Sequence, residues 1–287
     1  MASDAPRFVP GEAPTGAVRA IARRALPALG VVTLLLCCWE GAKLLFAIPD
    51  QRLPHLGAIV ETMLSRTQGG SGNLLVVQML ANAWATFRIA FGGFAIGTGL
   101  GLLLAVIFLQ APVLERGLLP YVIGSQTVPI LAIAPMVVVG LGRIGAPGWA
   151  ARVVVAAYLT FFPVTIGMLR GLRSASPESL SLMRSYAANP AQTFWKLRLP
   201  ASLPYLFTSL KIAASASVIG AIVAELPAGA REGIGVMILN AAQFYNSRPP
   251  ALYLAILIAG LLGVAFYCLV ALAEYLVVGR RGRARPG

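Results

Sequence analysis

Apolar residues in this chain gather into long unbroken runs rather than alternating with polar ones, a pattern that reads as helices apolar on every face. Six runs can be marked: Leu26 to Phe46, Ala85 to Leu109, Leu118 to Leu141, Trp149 to Leu169, Tyr205 to Leu226 and Ala251 to Val278. Each is 21 to 28 residues long, and about 20 apolar residues in a helix cross the ~30 Å hydrocarbon core of a bilayer. The pattern predicts an all-α integral membrane protein with six transmembrane helices. They form a single membrane domain over 26–278, between a tail at 1–25 and a basic tail at 279–287. Among its connections, 170–204 and 227–250 carry recognisable local signals. A basic stretch precedes the first run as in a secretory signal, but no small-residue cleavage pattern follows, so the run reads as a retained span.

Two runs carry internal detail. In the second, Gly93, Gly97 and Gly101 recur every fourth residue along one helical face, a surface on which two backbones pack closely. In the third, Pro120, Pro129 and Pro135 interrupt the helix, and the polar Ser125, Gln126 and Thr127 stand just before Pro129. An interior proline removes a backbone donor and clashes with the preceding turn. Either this is a kinked packing helix or it is a broken helix lining a pathway. The coincidence of three prolines with a polar triplet favours the second.

Between the fourth and fifth runs lies SASPESLSLMRSYAANPAQTFWKLRLPASLPYL. Ser176 before Pro177 and Glu178 is a helix start, with a capping hydroxyl, proline at the first helical position and an acid at the positive helix end. The spacing predicts one short helix from Pro177 to about Ala188, punctuation at Asn189 and Pro190, and a second from Ala191 to Leu199 that ends against Pro200. With Phe194 and Trp195 exposed, this hairpin reads as a surface made to be covered, against the plainer alternative of an interfacial amphipathic hairpin. The 227–250 connection holds a short apolar helix, Ile234 to Phe244, too short to span.

Composition sharpens this picture. Of 287 residues, 58% are hydrophobic and 11% charged, where soluble domains carry about 25% charge, which excludes a soluble globular enzyme. The net charge of +13 is distributed as a membrane orientation rather than as a nucleic-acid stripe. With the N-terminus inside, 14 basic residues fall on the inner side: Arg7, Arg19, Arg23, Arg24, Arg116, Arg170, Arg173, Arg184, Lys196, Arg198, Arg280, Arg281, Arg283 and Arg285. The outer side holds 5: Arg52, Arg66, Arg143, Arg231 and Arg248. Both termini are therefore expected in the cytoplasm.

Candidate chemistry is sparse. No phosphate-binding loop, zincin or nucleophile-elbow motif is present, so if ATP drives the protein another chain binds it. Cys37, Cys38 and Cys268 lie inside spans and read as packing residues, and His55, the only histidine, reads as a solvated loop residue without metal partners. Three acids lie in spans. Glu40 has Lys43 one helical turn on, Glu225 is near the outer end of the fifth span and Glu274 near the inner end of the sixth; each is a partnered or interfacial charge, or a transport residue. Lys211, at the inner end of the fifth span, can snorkel to the interface.

These residues carry a resemblance. The 170–204 segment resembles the cytoplasmic loop of binding-protein-dependent ABC importer permeases, whose pattern is E-A-A, three residues, G, nine residues, I-x-L-P. Leu197, Leu199 and Pro200 match its end, Ser181, Leu182 and Met183 stand where E-A-A belongs, and Ala187 stands at the glycine. Trp39-Glu40, VPILAIAP from Val128, FFP from Phe161 with GLR from Gly171, LPASLPYLFTSLKIA from Leu199, AEL from Ala224 and GIGVMILNA from Gly233 narrow the resemblance to the nitrate, sulfonate and taurine type.

The resemblance implies a type I ABC importer permease fold in a bacterial cytoplasmic (inner) membrane. Two permease subunits, a homodimer in preference to a heterodimer, form the pathway. A cytoplasmic ATPase dimer binds the ATP and magnesium, and an extracytoplasmic binding protein delivers a small solute. The permease itself needs no cofactor, binds no nucleic acid and is no enzyme. ATPase coupling then falls to Ser181, Tyr186, Ala187, Ala188, Asn189, Pro190, Phe194, Leu199 and Pro200, and the pathway to Gln126, Thr127, Pro129, Pro135 and Glu225. Both glycine and acid are lost from the loop pattern, and Asn189-Pro190 could supply a later turn. The alternatives are a secondary transporter or channel, which would show matching interruptions in two inverted halves, and a lipid-modifying membrane enzyme, which would need a paired acid or nucleophile.

Overall fold

The computed structural model describes residues 15–67, 72–227 and 229–279, with side chains of the first helix described from residue 30 apart from Pro27. The predicted tails, with Arg7, Arg19, Arg23, Arg24, Arg280, Arg281, Arg283 and Arg285, lie outside the described residues or side chains. The chain divides into two units, 1–58 and 59–287.

The first unit holds α1 (Thr15–Leu45) and a loop that folds back on its end. Trp39 Nε1 donates to the Pro54 carbonyl at 3.1 Å. Glu40 accepts from the Leu56 amide at 2.7 Å and lies 2.9 Å from His55 Nδ1. The Lys43 ammonium, 4% exposed, meets Asp50 at 2.5 Å and the Leu53 carbonyl. Lys43 thereby holds the Asp50 carboxyl below its ordinary range. The expected Glu40–Lys43 pair does not form, and His55 is not merely solvated: both charges turn to the loop, where backbone groups also need partners.

The second unit begins within α2 (Leu56–Leu64) and continues with α3 (Leu75–Gln110), α4 (Pro112–Ser125), α5 (Ile130–Arg143), α6 (Gly148–Leu172), α7 (Pro177–Ser185), α8 (Pro190–Thr193), a π-helical turn (Phe194–Arg198), α9 (Leu199–Glu225), α10 (Ile234–Gln243) and α11 (Pro249–Val277). Among the described residues, four helices are long and apolar enough to cross a membrane: α3, α6, the continuous helix Pro190–Glu225 and α11. The pair α4 and α5 makes a fifth if counted as one broken span. The run Leu26 to Phe46, expected as a further span, lies on α1 up to its end at Leu45, with side chains described from residue 30 apart from Pro27.

Small residues set the packing. The buried Gly93, Gly97 and Gly101 of α3 face α6, so close that a Cβ on Gly97 would stand 2.6 Å from the Ala157 carbonyl and one on Gly101 2.7 Å from that of Phe161. Gly171 of α6 meets Ser202 of α9 in the same way, and Gly220 of α9 meets Ala156. In an apolar solvent, helices gain little by hiding apolar surface from one another, so close van der Waals contact at such stripes holds them together. Helix α11 closes on α3 and α9 through Phe266, which stacks edge-on against Phe87 and Phe94.

The third apolar run is broken, by 99°, between α4 and α5. It breaks at one proline rather than three: Pro120 and Pro135 both lie inside helices. The polar triplet supplies the reason. Ser125 Oγ donates to the Val122 carbonyl and Thr127 Oγ1 to that of Gly124, each at 2.7 Å, and the Tyr158 hydroxyl of α6 donates to the Ser125 carbonyl. Before Pro129 the carbonyls freed by the break have partners, whereas Pro120 and Pro135 have no such triplet before them.

Packing at Gly97 yields a direct comparison. Gly97→Ala should lower stability by about 1–3 kcal/mol, because the methyl meets backbone that cannot move aside. Gly99→Ala, two residues away with nothing within 4 Å of its would-be Cβ, should change stability by less than about 0.5 kcal/mol. Thermal unfolding of both variants in one detergent reads the difference, and equal midpoints would refute the packing account.

Candidate functional site

At the end of the second unit where α6 gives way to α9, the connection folds into a compact helix–turn–helix. Helix α7 starts as expected: the Ser176 hydroxyl accepts from the Ser179 amide at 3.2 Å, Pro177 takes the first turn, and Glu178 sits at the positive end. It ends at Ser185, earlier than Ala188. The chain reverses at Ala187, which adopts the left-handed φ of +50°. The Ala188 amide donates back to the Met183 carbonyl at 3.0 Å and the Ala187 amide to that of Arg184 at 2.9 Å. These are the paired bonds of a Schellman termination, normally built on glycine.

The turn therefore has not moved to Asn189-Pro190. Those residues instead start α8: Asn189 Oδ1 accepts from the Gln192 amide at 2.8 Å while Gln192 Oε1 accepts from the Asn189 amide at 2.9 Å. This reciprocal capping box, with Pro190 at the first position, satisfies donors on both sides.

Nor does the second helix end against Pro200. It passes through the π-helical turn Phe194–Arg198 into α9, making one helix from Pro190 to Glu225. The Leu199 amide bonds to the Phe194 carbonyl five residues back. In a regular α-turn the proline ring would collide with the carbonyl four residues back; the wider turn relieves that contact.

This segment exposes Leu182 (56%), Tyr186 (75%) and Trp195 (64%). Phe194, expected to be exposed, instead packs under the segment with Leu199, against Phe108, Leu169 and Leu172. Ser181, Ala187, Asn189, Pro190 and Pro200 are exposed and Ala188 half-buried. A cleft of about 850 Å³ runs between this segment and the end of α3, lined by Leu109, Gln110, Arg184, Trp195 and Arg198 among others.

The expected pathway residues do not form one cluster. Gln126, Thr127 and Pro129 occupy the α4–α5 break, with Thr127 and Pro129 exposed; Pro135 lies within α5. Glu225 is 1% exposed and is a capping group. Its carboxylate accepts from Thr86 Oγ1 at 2.6 Å and from the Gly235 amide at 2.7 Å. Thr86 also accepts from the Ile234 amide, and Asn82 Oδ1 from the Gly233 amide, each at 2.8 Å. Successive N–H groups at the start of α10 are thus satisfied by α3 and α9, with the acid at the positive helix end. Lys211 is not snorkelling freely: it pairs with Glu274 at 2.8 Å.

Sequence reasoning did not identify the ties across helices. Arg173, at the end of α6, grips Glu115 of α4 through both guanidinium nitrogens, and Arg198 donates to the Leu172 carbonyl at 3.1 Å. Glu115 and Arg173 are 58 positions apart; Arg173 stood out only in the basic count and the GLR stretch, and Glu115 in neither.

Comparison with known proteins agrees with this architecture. Residues 97–279 match the family described as binding-protein-dependent transport system inner membrane component. A riboflavin transport system permease of Chloroflexus aurantiacus is 30% identical over 91% of this chain and 93% of its own. A formylaminopyrimidine transport permease of Halalkalibacterium halodurans is 32% identical over 68% of this chain and 75% of its own. The taurine transport system permease of Escherichia coli is 26% identical over 78% and 79%. Among solved structures, an amino acid ABC transporter superposes with a TM-score of 0.56 at 17% identity, over 70% of this chain and 95% of that one. The methionine ABC transporter in an inward-facing conformation follows at 0.51 and 21%, over 69% and 95%. The matched residues and the relatives together place the chain in the family of binding-protein-dependent transport system inner membrane components, as a multi-pass ABC permease of the nitrate, sulfonate and taurine type.

Proposed function

We propose that this chain, with a second copy of itself, forms the translocation pathway of an ATP-driven importer in a bacterial inner membrane. A cytoplasmic ATPase dimer docks on the α7–α8 segment, and an extracytoplasmic binding protein delivers a small solute near α10. The observation that carries this reading is the exposed helix–turn–helix with Leu182, Tyr186 and Trp195 outward. Most other exposed apolar side chains lie on the long apolar helices, whose solvent is lipid, although Val60 and Leu64 of α2 and Leu239 and Phe244 at α10 are exposed as well. Here they stand beside Ser181, Arg184, Ser185 and Asn189, where a protein partner is the fitting cover. A chain without its own nucleotide loop must receive work through contact, and α7–α8 is the largest connection on the arginine-rich side. Helix α7 leads from α6 and α8 runs without interruption into α9, so a push on the segment reaches two packed spans directly.

The solute stays at the level of a small molecule, because the relatives' names run from taurine and sulfonates to riboflavin and a formylaminopyrimidine. Fold likeness does not choose among them. Lys211 offers no independent anion site, since Glu274 neutralises it.

Two tests follow. Reporter fusions after Arg19, Arg173 and Arg283 should read cytoplasmic and those near Arg66 and Gly235 external, from the basic asymmetry; an external reading at Arg173 would remove the segment from reach of any ATPase. Ala187 separates fold from docking. Ala187→Gly should stabilise the turn by about 1 kcal/mol, since glycine adopts the left-handed conformation freely, and should keep solute-stimulated ATP hydrolysis. Ala187→Glu should abolish that stimulation, because it buries an unpaired charge at the contact. Normal hydrolysis by the glutamate variant would contradict docking there.

A further inference from the structure

The transport reading leaves open how a push on α7–α8 reaches the broken helix α4–α5, which is continuous with neither α7 nor α8. Helix α4 carries no fully buried residue, and a cleft of about 770 Å³ opens along it. Its apolar anchorage is partial: Leu119 and Val122 pack against the Phe108, Met168 and Leu172 cluster. In its first turn, however, Glu115 is 14% exposed and forms a two-pronged ion pair with Arg173, at 2.8 Å for Nη1 to Oε1 and 2.5 Å for Nη2 to Oε2.

Arg173 occupies a junction. It terminates α6, its amide bonding back to the Leu169 and Arg170 carbonyls, and three residues later Ser176 caps α7. The same corner is bound from the other side: Arg198 of the π-helical turn donates to the Leu172 carbonyl at 3.1 Å, and Ser174 Oγ, bonded to Gly171, lies 3.4 Å from the Ala201 carbonyl. One corner thus joins the end of α6, the start of α7, the root of α9 and, through a single side chain, α4. At its far end α4 meets the break, where the Ser125 carbonyl is held by Tyr158 of α6.

We infer that the Arg173–Glu115 pair is the link that makes α4 follow the α7–α8 segment, so that docking-side motion opens or closes the pathway at the α4–α5 break. Both are positioning residues; neither touches solute. A two-pronged guanidinium–carboxylate pair fixes orientation as well as distance, which a lysine would not. The inference rests on the reading of α7–α8 as the ATPase dock.

The test uses the transporter purified with its ATPase in nanodiscs, after Cys37, Cys38 and Cys268 are replaced by alanine. Spin-label pairs at Leu103 and Tyr121 report α4 against α3, and pairs at Leu103 and Ser179 report α7. Distances are compared without nucleotide and after trapping with ATP and vanadate. In the native sequence both pairs should shift on trapping. In Glu115→Gln the α7 shift should persist while the α4 shift falls by more than half. The exchanged pair Glu115→Arg with Arg173→Glu should restore it, which a merely misfolded variant cannot do. A full α4 shift in Glu115→Gln, or a folded exchanged pair that stays uncoupled, overturns the link. Absence of any α7 shift in the native sequence overturns the docking reading itself, and the link with it.

Discussion

Four departures from a regular helix in this protein meet one requirement: a backbone donor or acceptor taken out of water must find a partner inside the protein. At the α4–α5 break, Ser125, Thr127 and Tyr158 take up the carbonyls that Pro129 leaves over. At α10, Asn82, Thr86 and Glu225 receive the amides at its start. At the end of α7 the chain accepts a left-handed alanine so that two amides can return to the last turn. At Pro200 the helix widens by one residue and continues. Each irregularity coincides with a place where the transport reading needs the chain to bend, dock or open.

What the sequence made legible follows from the same physics. Apolar runs and the Gly93, Gly97, Gly101 stripe act through composition and local spacing, so the membrane class and the α3–α6 packing could be read directly. Ser176 and Pro177 announced a helix start because capping is local. The rest depends on partners far away in sequence. Nothing near Pro120 or Pro135 distinguishes them from Pro129 except the polar triplet, whose effect is completed by Tyr158, 33 positions from Ser125. Pro200 looked like a stop because a π-turn leaves no compositional trace. Ala187 looked unable to turn, since local preference argues against it and only the closed Schellman bonds outweigh that cost. Glu225, singled out as an acid near the outer end of a span, is enclosed by α3 and the start of α10, partners that sequence spacing does not reveal.

The packing order has a mechanical consequence. Helix α6 lies at the centre, its small residues meeting α3 on one side and α9 on the other, and it delivers the chain into α7. Helix α9 receives the chain from α8 without a break. Force applied to α7–α8 therefore enters two close-packed spans at once, and close-packed interiors transmit displacement rather than absorb it. On the proposed transport reading, the partly anchored α4 and the break beyond it are where such displacement would change the shape of a pathway with least loss of packing.

The central claim is that α7–α8 meets an ATPase, and cross-linking from its most exposed aromatic tests it most directly. A photoreactive phenylalanine analogue in place of Tyr186, in cells that also produce the proposed partner ATPase, should yield a covalent adduct between the two proteins on illumination. The same analogue in place of Leu239 on α10, at the other end of α9, should yield none. No adduct from Tyr186, or equal adducts from both positions, would contradict ATP coupling through this segment.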